Sequence, residues 1–118
     1  MKPGDVMFGT FDYDEDRSQK KIRPLLILEV MDWGVRVAYG SSQHIGGTLP
    51  HEFELGADEA AHVYLKKATR FDLKRRQIMP LDVQHPAWAH KGPVGNILSL
   101  GRDVQYRLVR TARNAGLA

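Results

Sequence analysis

Along the first two thirds of the chain, apolar residues alternate with polar ones or form short runs. Both patterns predict β-strands, because successive side chains of a strand point to opposite faces. The segment at residues 25–30, apolar except for Glu29, predicts a strand buried on both faces, and Asp32, Trp33 and Gly34 predict the tight turn of a hairpin. Further strands are predicted at residues 6–12, 35–39, 51–55, 69–73 and 76–81.

Two segments have a helical pattern instead. Residues 57–65 carry Asp58 and Glu59 in their first turn, where the helix dipole favours acidic side chains. Residues 99–114 repeat with a helical period, and one stripe of that helix carries Leu100, Val104, Leu108 and Ala112. The whole pattern predicts a mainly β fold with helical additions (α+β), a small barrel or curled antiparallel sheet with a C-terminal helix.

Size and composition predict one domain over residues 1–118, with ordinary hydrophobic (42%) and charged (26%) contents. Cysteine is absent, which excludes disulfides and cysteine-ligated zinc and fits a reducing cytoplasm. The histidines have no partners at zinc spacing, so neither a metal nor another cofactor is expected. The N-terminus lacks the apolar core of a signal peptide, and no apolar run approaches the roughly 20 residues that cross a bilayer.

Positive charge is concentrated in a few places. The net charge is only +3, but the isoelectric point is near 9.3. Basic clusters occur at residues 20–23, 66–67 and 70–76 and in the C-terminal helix, whereas residues 52–59 are acidic. The pattern favours a confined basic groove for a polyanion, although solvated surface charge is the simpler explanation for any one cluster.

Arg70 and Asp72 flank Phe71 in the predicted strand at residues 69–73. Positions two apart share a face of a strand, roughly 6.6 Å apart at their bases, so the pair can hold one phosphate between them. Taken alone, such a pair is usually a solvated ion pair. Arg23, just before the buried run, and Ser41, at the end of the next strand, add polar groups at neighbouring strand ends.

Four segments of the chain, taken in order, carry a family resemblance. They are residues 4–6 (Gly-Asp-Val), 22–28 (Ile-Arg-Pro-Leu-Leu-Ile-Leu), 39–43 (Tyr-Gly-Ser-Ser-Gln) and 68–73 (Ala-Thr-Arg-Phe-Asp-Leu). They resemble motifs of the PemK/MazF (Kid, CcdB-like) toxins of bacterial type II toxin–antitoxin systems. The resemblance implies an SH3-like barrel that forms a homodimer, cleaves single-stranded RNA, often mRNA, without metal, and is neutralised by a cognate antitoxin.

Carried over by position, the resemblance implies the catalytic residues Arg23, Ser41, Arg70 and Asp72. The candidates for RNA binding are Lys20, Lys21, Ser42, Gln43 and His44. The chain departs from many relatives in the first loop, where it has Arg-Ser-Gln-Lys at residues 17–20 instead of Gly-x-Glu-Gln. It also has serine where threonine is common, so the target sequence does not transfer.

Cleaving RNA through its own 2′-hydroxyl requires a base, positive charge at the phosphate and a proton for the departing 5′-oxygen. Asp72 is the candidate base, and Arg23 and Arg70 are candidate phosphate clamps because guanidinium stays protonated and forks onto phosphate oxygens. Ser41 either donates a hydrogen bond to the same phosphate or satisfies its own backbone. His44 is an alternative base.

The alternative function is a non-catalytic binding module on the same barrel. In the CcdB branch of the family such a barrel acts on gyrase, and a module that only holds RNA is also open. The Arg-Pro and Arg-x-Asp motifs favour the nuclease branch. For Trp33 and Trp88, packing against the barrel is favoured over stacking on a base.

Overall fold

The computed structural model describes residues 1–10 and 21–117. Its strands are β1 (Asp5–Thr10), β2 (Ile22–Met31), β3 (Gly34–Ser41), β4 (Glu52–Leu55), β5 (Thr69–Met79) and β6 (Gly95–Asn96). Helix α1 spans Ala57–Ala61, a 3₁₀ turn spans Ile97–Leu100, and helix α2 spans Arg102–Asn114. The strands form one antiparallel sheet in the order β4-β5-β3-β2-β1-β6, curled into a half-barrel. The prediction of a mainly β fold with a C-terminal helix is confirmed.

The segments predicted as two strands, at residues 69–73 and 76–81, form the single strand β5. Asp72 lies opposite Tyr39 of β3, and Arg76 lies opposite the neighbouring residue Ala38, so residues 73–75 have no counterpart on β3. Such a bulge bends a strand and strengthens its twist. The first part of β5 also pairs with β4. Lys74 and Arg75, which lie between the two predicted strands, form part of the bulge.

The sheet separates two hydrophobic clusters. Leu26, Phe53 and Phe71 belong to the first cluster, which packs against α2 through Val104 and Leu108. Met7, Leu25, Ile27, Val37, Tyr39 and Trp88 belong to the second, on the opposite face. Residues 25–28 thus supply side chains to both clusters, as a doubly buried strand must. Glu29 and Val30 are exposed, so the predicted double burial is wrong for the end of that segment.

The two tryptophans differ. Trp88 is buried in the second cluster, and its indole Nε1 donates a hydrogen bond to the Pro80 carbonyl oxygen at 2.9 Å. Trp33 lies at the tip of the β2–β3 hairpin and is 69% exposed, so the packing prediction is wrong for this residue. The turn carries it beyond the edge of the core.

Two predicted helices begin or end differently from the pattern. Helix α1 ends at Ala61, because residues 62–65 form a turn in which Tyr64 has a φ of 59°. Helix α2 begins at Arg102, because Gly101 separates it from the preceding 3₁₀ turn. Among the described residues, no helix is both long and apolar enough to cross a membrane.

Gly40 of β3 lies where another backbone and an aromatic ring approach closely. A Cβ at this position would be 2.5 Å from the Pro24 carbonyl oxygen and 2.8 Å from the Phe71 ring. Gly40→Ala is expected to lower the free energy of unfolding by about 1–3 kcal/mol, because the contacts are too short to relax without moving the sheet. The measurement is urea denaturation followed by circular dichroism.

The matched control is Gly47→Ala, because a Cβ at Gly47 would meet nothing within 4 Å. This variant is expected to unfold within about 0.5 kcal/mol of the parent protein. Equal stabilities of the two variants would contradict the close approach at Gly40.

Candidate active site

The pairing of β3 with β5 arranges the predicted site residues. Ser41 lies directly opposite Arg70, and Tyr39 lies directly opposite Asp72. Directly opposed residues of antiparallel strands share a face of the sheet, with Cα atoms about 4.5–5.5 Å apart. The Arg23 guanidinium carbon lies 5.4 Å from the centre of the Tyr39 ring. Arg23, Ser41, Arg70 and Asp72 are thus brought to one face, around Tyr39.

Arg70 is held by two groups from other parts of the chain. Its Nη1 forms a hydrogen-bonded ion pair with Glu52 Oε2, and its Nε donates to the Gln43 carbonyl oxygen at 2.8 Å. The side chains of Arg70 and Glu52 are only 12% and 8% exposed. Arg70 therefore ties the β3–β4 loop (residues 42–51) to β5, and a phosphate must compete with Glu52 for its guanidinium.

Asp72 has a histidine neighbour that the sequence pattern did not single out. Its Oδ1 accepts a hydrogen bond from the Lys74 backbone N–H at 3.0 Å and lies 3.7 Å from His51 Nε2. The side chains of His51 and Asp72 are 20% and 13% exposed, so solvent still reaches both. A carboxylate beside an imidazole can act as an acid–base pair.

Ser41 has the backbone contact that the sequence analysis gave as its alternative role. The residue is 4% exposed, and its Oγ accepts a hydrogen bond from the Gln43 backbone N–H at 3.1 Å. Its hydroxyl hydrogen is still available as a donor, because a hydroxyl both donates and accepts. The contact shapes the first turn of the β3–β4 loop.

The residues proposed for RNA binding lie on the surface, as far as the structure describes them. Lys21, Ser42, Gln43 and His44 are exposed. His44 has a φ of 59°, a left-handed conformation that is uncommon outside glycine. Lys20 lies outside the described residues, together with the rest of the divergent first loop.

One further side chain, that of Arg75, joins the cluster through Tyr39. The Arg75 guanidinium carbon lies 5.0 Å from the centre of the Tyr39 ring, so this ring contacts two arginines. Cation–π contacts of this kind contribute about 0.5–2 kcal/mol. Arg75 belongs to the β5 bulge. The local sequence does not predict that its side chain contacts Tyr39 of β3.

A cleft of about 550 Å³ shares Arg23 and Ser41 with this cluster, although Pro24, Gly40 and Thr69, which also line it, belong to the opposite face of the sheet. Ser42 and residues 64–67 are also among its lining residues. None of its lining residues is acidic, whereas Arg23, Lys66 and Lys67 are cationic. Arg70 and Asp72 do not line the cleft, but Arg70 is paired with Ser41, which does. We refer to it as the basic cleft.

Within residues 1–10 and 21–117, no group of three or more histidine, aspartate or glutamate side chains is arranged to hold a metal ion. The chain matches no known protein-family model, and no curated protein is similar to it at a significant level. The geometry of the cluster, the basic cleft and the four ordered motifs are therefore the basis for a functional argument.

The Arg70–Glu52 pair should be essential to the fold of this region. Glu52→Gln is expected to lower the free energy of unfolding by about 2–4 kcal/mol, because it leaves the largely buried guanidinium without its counter-ion. Urea denaturation measures the loss.

Glu29→Gln is the control, since Glu29 forms an ion pair with Arg36 that is exposed. The same change there is expected to cost less than about 1 kcal/mol. If both variants lose the same stability, the pair at Arg70 is no stronger than a surface contact.

Proposed function

We propose that the chain is a metal-independent endoribonuclease toxin of the PemK/MazF type, which cleaves single-stranded RNA through the substrate's own 2′-hydroxyl. One observation carries the proposal: the His51–Asp72 pair, Tyr39 and Arg23 lie on one face of the sheet, and Arg23 is also among the residues that line a cleft rich in cations and free of acids. An acid–base pair next to concentrated positive charge is what phosphate transesterification needs. The order of the four motifs supports the same class.

In this mechanism Asp72 accepts the proton of the 2′-hydroxyl. The 2′-oxygen attacks the adjacent phosphorus, the bond from phosphorus to the 5′-oxygen breaks, and the products end in a 2′,3′-cyclic phosphate and a 5′-hydroxyl. His51, whose Nε2 lies 3.7 Å from Asp72 Oδ1, donates the proton that the departing 5′-oxygen requires. Positioned proton transfers of this kind each contribute about 10²- to 10⁴-fold.

Arg23 stabilises the charge that develops on the non-bridging phosphate oxygens. Its guanidinium packs on the Tyr39 ring, so its direction is restrained before RNA binds, and the residue is among those that line the basic cleft. A single oriented donor is typically worth about 3–4 kcal/mol in the transition state. Ser41 donates its hydroxyl hydrogen to the same phosphate.

Arg70 adds positive charge and positions other groups. Its contacts with Glu52 and the Gln43 carbonyl hold both ends of the β3–β4 loop, which carries Ser42 and His51. We assign Arg70 mainly to this positioning, with contact to phosphate only where RNA displaces Glu52. The exposed residues Lys21, Ser42, Gln43 and His44, with Lys20, extend the RNA contacts beyond the scissile phosphate.

The proposal includes the partners that the resemblance implies. The toxin acts in the cytoplasm as a homodimer, and a cognate antitoxin neutralises it. An antitoxin segment that blocks a basic cleft would carry acidic residues, since electrostatic complementarity governs such contacts.

Asp72→Asn and Arg23→Ala are each expected to keep the fold and lower the cleavage rate at least about 10²-fold. Asparagine keeps the acceptor for the Lys74 N–H but cannot take a proton. The measurement is cleavage of end-labelled single-stranded RNA by EDTA-treated protein, with analysis of the product ends for cyclic phosphate.

Asp82→Asn and Arg36→Ala are the controls. Asp82 accepts the same local backbone hydrogen bond, from Gln84, and Arg36 forms an exposed pair with Glu29. Full cleavage by the folded Asp72→Asn protein would refute the base assignment. RNA that is shifted but intact in the presence of the parent protein would instead support the non-catalytic binding module.

His51→Ala is expected to slow cleavage by about 10²-fold or more, because the 5′-oxygen then leaves without a positioned proton donor. Added imidazole should restore part of the rate, since it can occupy the space of the missing ring. His62→Ala, in which an exposed histidine is lost, should cleave like the parent protein. A His51→Ala rate equal to that of His62→Ala would show that the ring takes no part.

A further inference from the structure

Tyr64 forms part of the basic cleft and has an unusual backbone conformation. The turn after α1 is closed by hydrogen bonds from Leu65 N to Ala60 O, at 2.9 Å, and from Tyr64 N to Ala61 O, at 3.2 Å. This is a Schellman motif with Tyr64 at its left-handed position, where φ is 59°. Glycine is the residue favoured there, since a side chain makes the left-handed conformation unfavourable.

Packing does not account for a tyrosine at this position. Tyr64 is 77% exposed, so its ring gains little from the core. Strained residues of this kind occur disproportionately at ligand sites. Among the described residues, only Tyr64 and His44 are non-glycine residues with positive φ, and His44 follows the Ser-Ser-Gln segment of the candidate site.

The surroundings of Tyr64 match the chemistry of a nucleotide. Exposed Lys66 and Lys67 follow it on the same side of the cleft, and exposed Ile22 lies among the lining residues with Arg23. A flat aromatic face beside cations suits a base and its phosphates, because every base has a π-face and stacks on an aromatic ring.

A second cleft, between α2 and β4, has a different character. It is lined by Glu52, Glu54 and Glu59 as well as Arg107 and Arg110, so its charge is mixed. The basic cleft, free of acidic lining residues, is the better site for a polyanion.

We propose that residues 64–67 form a nucleotide-binding subsite in which the Tyr64 ring stacks on one base of single-stranded RNA and Lys66 and Lys67 contact the flanking phosphates. The subsite rests on the proposed function for its ligand, and it holds a nucleotide adjacent to the phosphate bound by Arg23. It gives the α1–β5 connection a role in substrate binding that none of the four motifs contains.

The test is fluorescence anisotropy with a short 2′-fluoro RNA of mixed sequence, which lacks the attacking hydroxyl and so reports binding without cleavage. Tyr64→Gly is expected to weaken binding about 10- to 100-fold, whereas Tyr64→Phe stays near the parent affinity. Tyr64→Gly should melt at or above the temperature of the parent protein, because glycine suits the left-handed position. Loss of affinity therefore cannot be attributed to unfolding.

Tyr106→Ala is the control for loss of the Tyr64 ring, and Arg110→Ala/Arg113→Ala is the control for loss of the two lysines. Tyr106→Ala removes another exposed tyrosine, on α2 and outside the cleft, and should bind normally. Each phosphate contact with a single strand contributes about 0.7 to the slope of log affinity against log salt concentration. Loss of two contacts in the Lys66→Ala/Lys67→Ala protein should therefore lower that slope by about 1.4. The Arg110→Ala/Arg113→Ala protein loses the same charge from α2 and should keep the slope.

The outcomes separate the subsite from the proposed function. Cleavage of ordinary RNA by the parent protein, with equal affinities for Tyr64→Gly and Tyr106→Ala, would overturn the subsite and leave the nuclease standing. Tyr64-dependent binding without cleavage would support the subsite and overturn the nuclease. Failure of the parent protein to bind the RNA at all would overturn both.

Discussion

The burial of Phe71 is the constraint on which the candidate site depends. Its ring is fully buried in the first hydrophobic cluster, beneath Gly40 and opposite Phe53. Because side chains alternate along a strand, this burial obliges Arg70 and Asp72 to share the other face. A register slip of one residue would place a charged side chain in the core and the ring in solvent, so the hydrophobic effect itself maintains the polar face.

The charges around the candidate site fall into two groups. Near β4, the positive charge of Arg70 is largely neutralised by Glu52. This ion pair holds the fold together and leaves little of the Arg70 charge for a ligand. On the side of β2, Arg23 joins Lys66 and Lys67 around a cleft without acidic lining residues. The His51–Asp72 pair lies at the first group. In the proposed mechanism, proton transfer by His51 and Asp72 and phosphate binding by Arg23 therefore have different electrostatic surroundings.

Much of the fold could be predicted from local patterns. The apolar run that begins at Leu25, the turn residues at Asp32–Gly34 and the 3.6-residue apolar period of α2 are all local signals, and the structure contains all three elements. The pattern did not predict that β5 is one continuous strand, because a three-residue bulge interrupts its alternation. It did not predict β6, because a strand of two residues is too short to show a period. Both are decided by pairing with β3 and β1.

For the site, the sequence by itself determined which residues could do chemistry and that Arg70 and Asp72 share a face, because strand alternation is a local property. Only the tertiary structure decided that His51 is the neighbour of Asp72, that Arg70 is held by Glu52 and that residues 64–67 line the same cleft as Arg23. These contacts join residues 18 or more positions apart. They follow from strand pairing and from the bulge in β5. Neither can be recognised from the local sequence around the residues that come into contact.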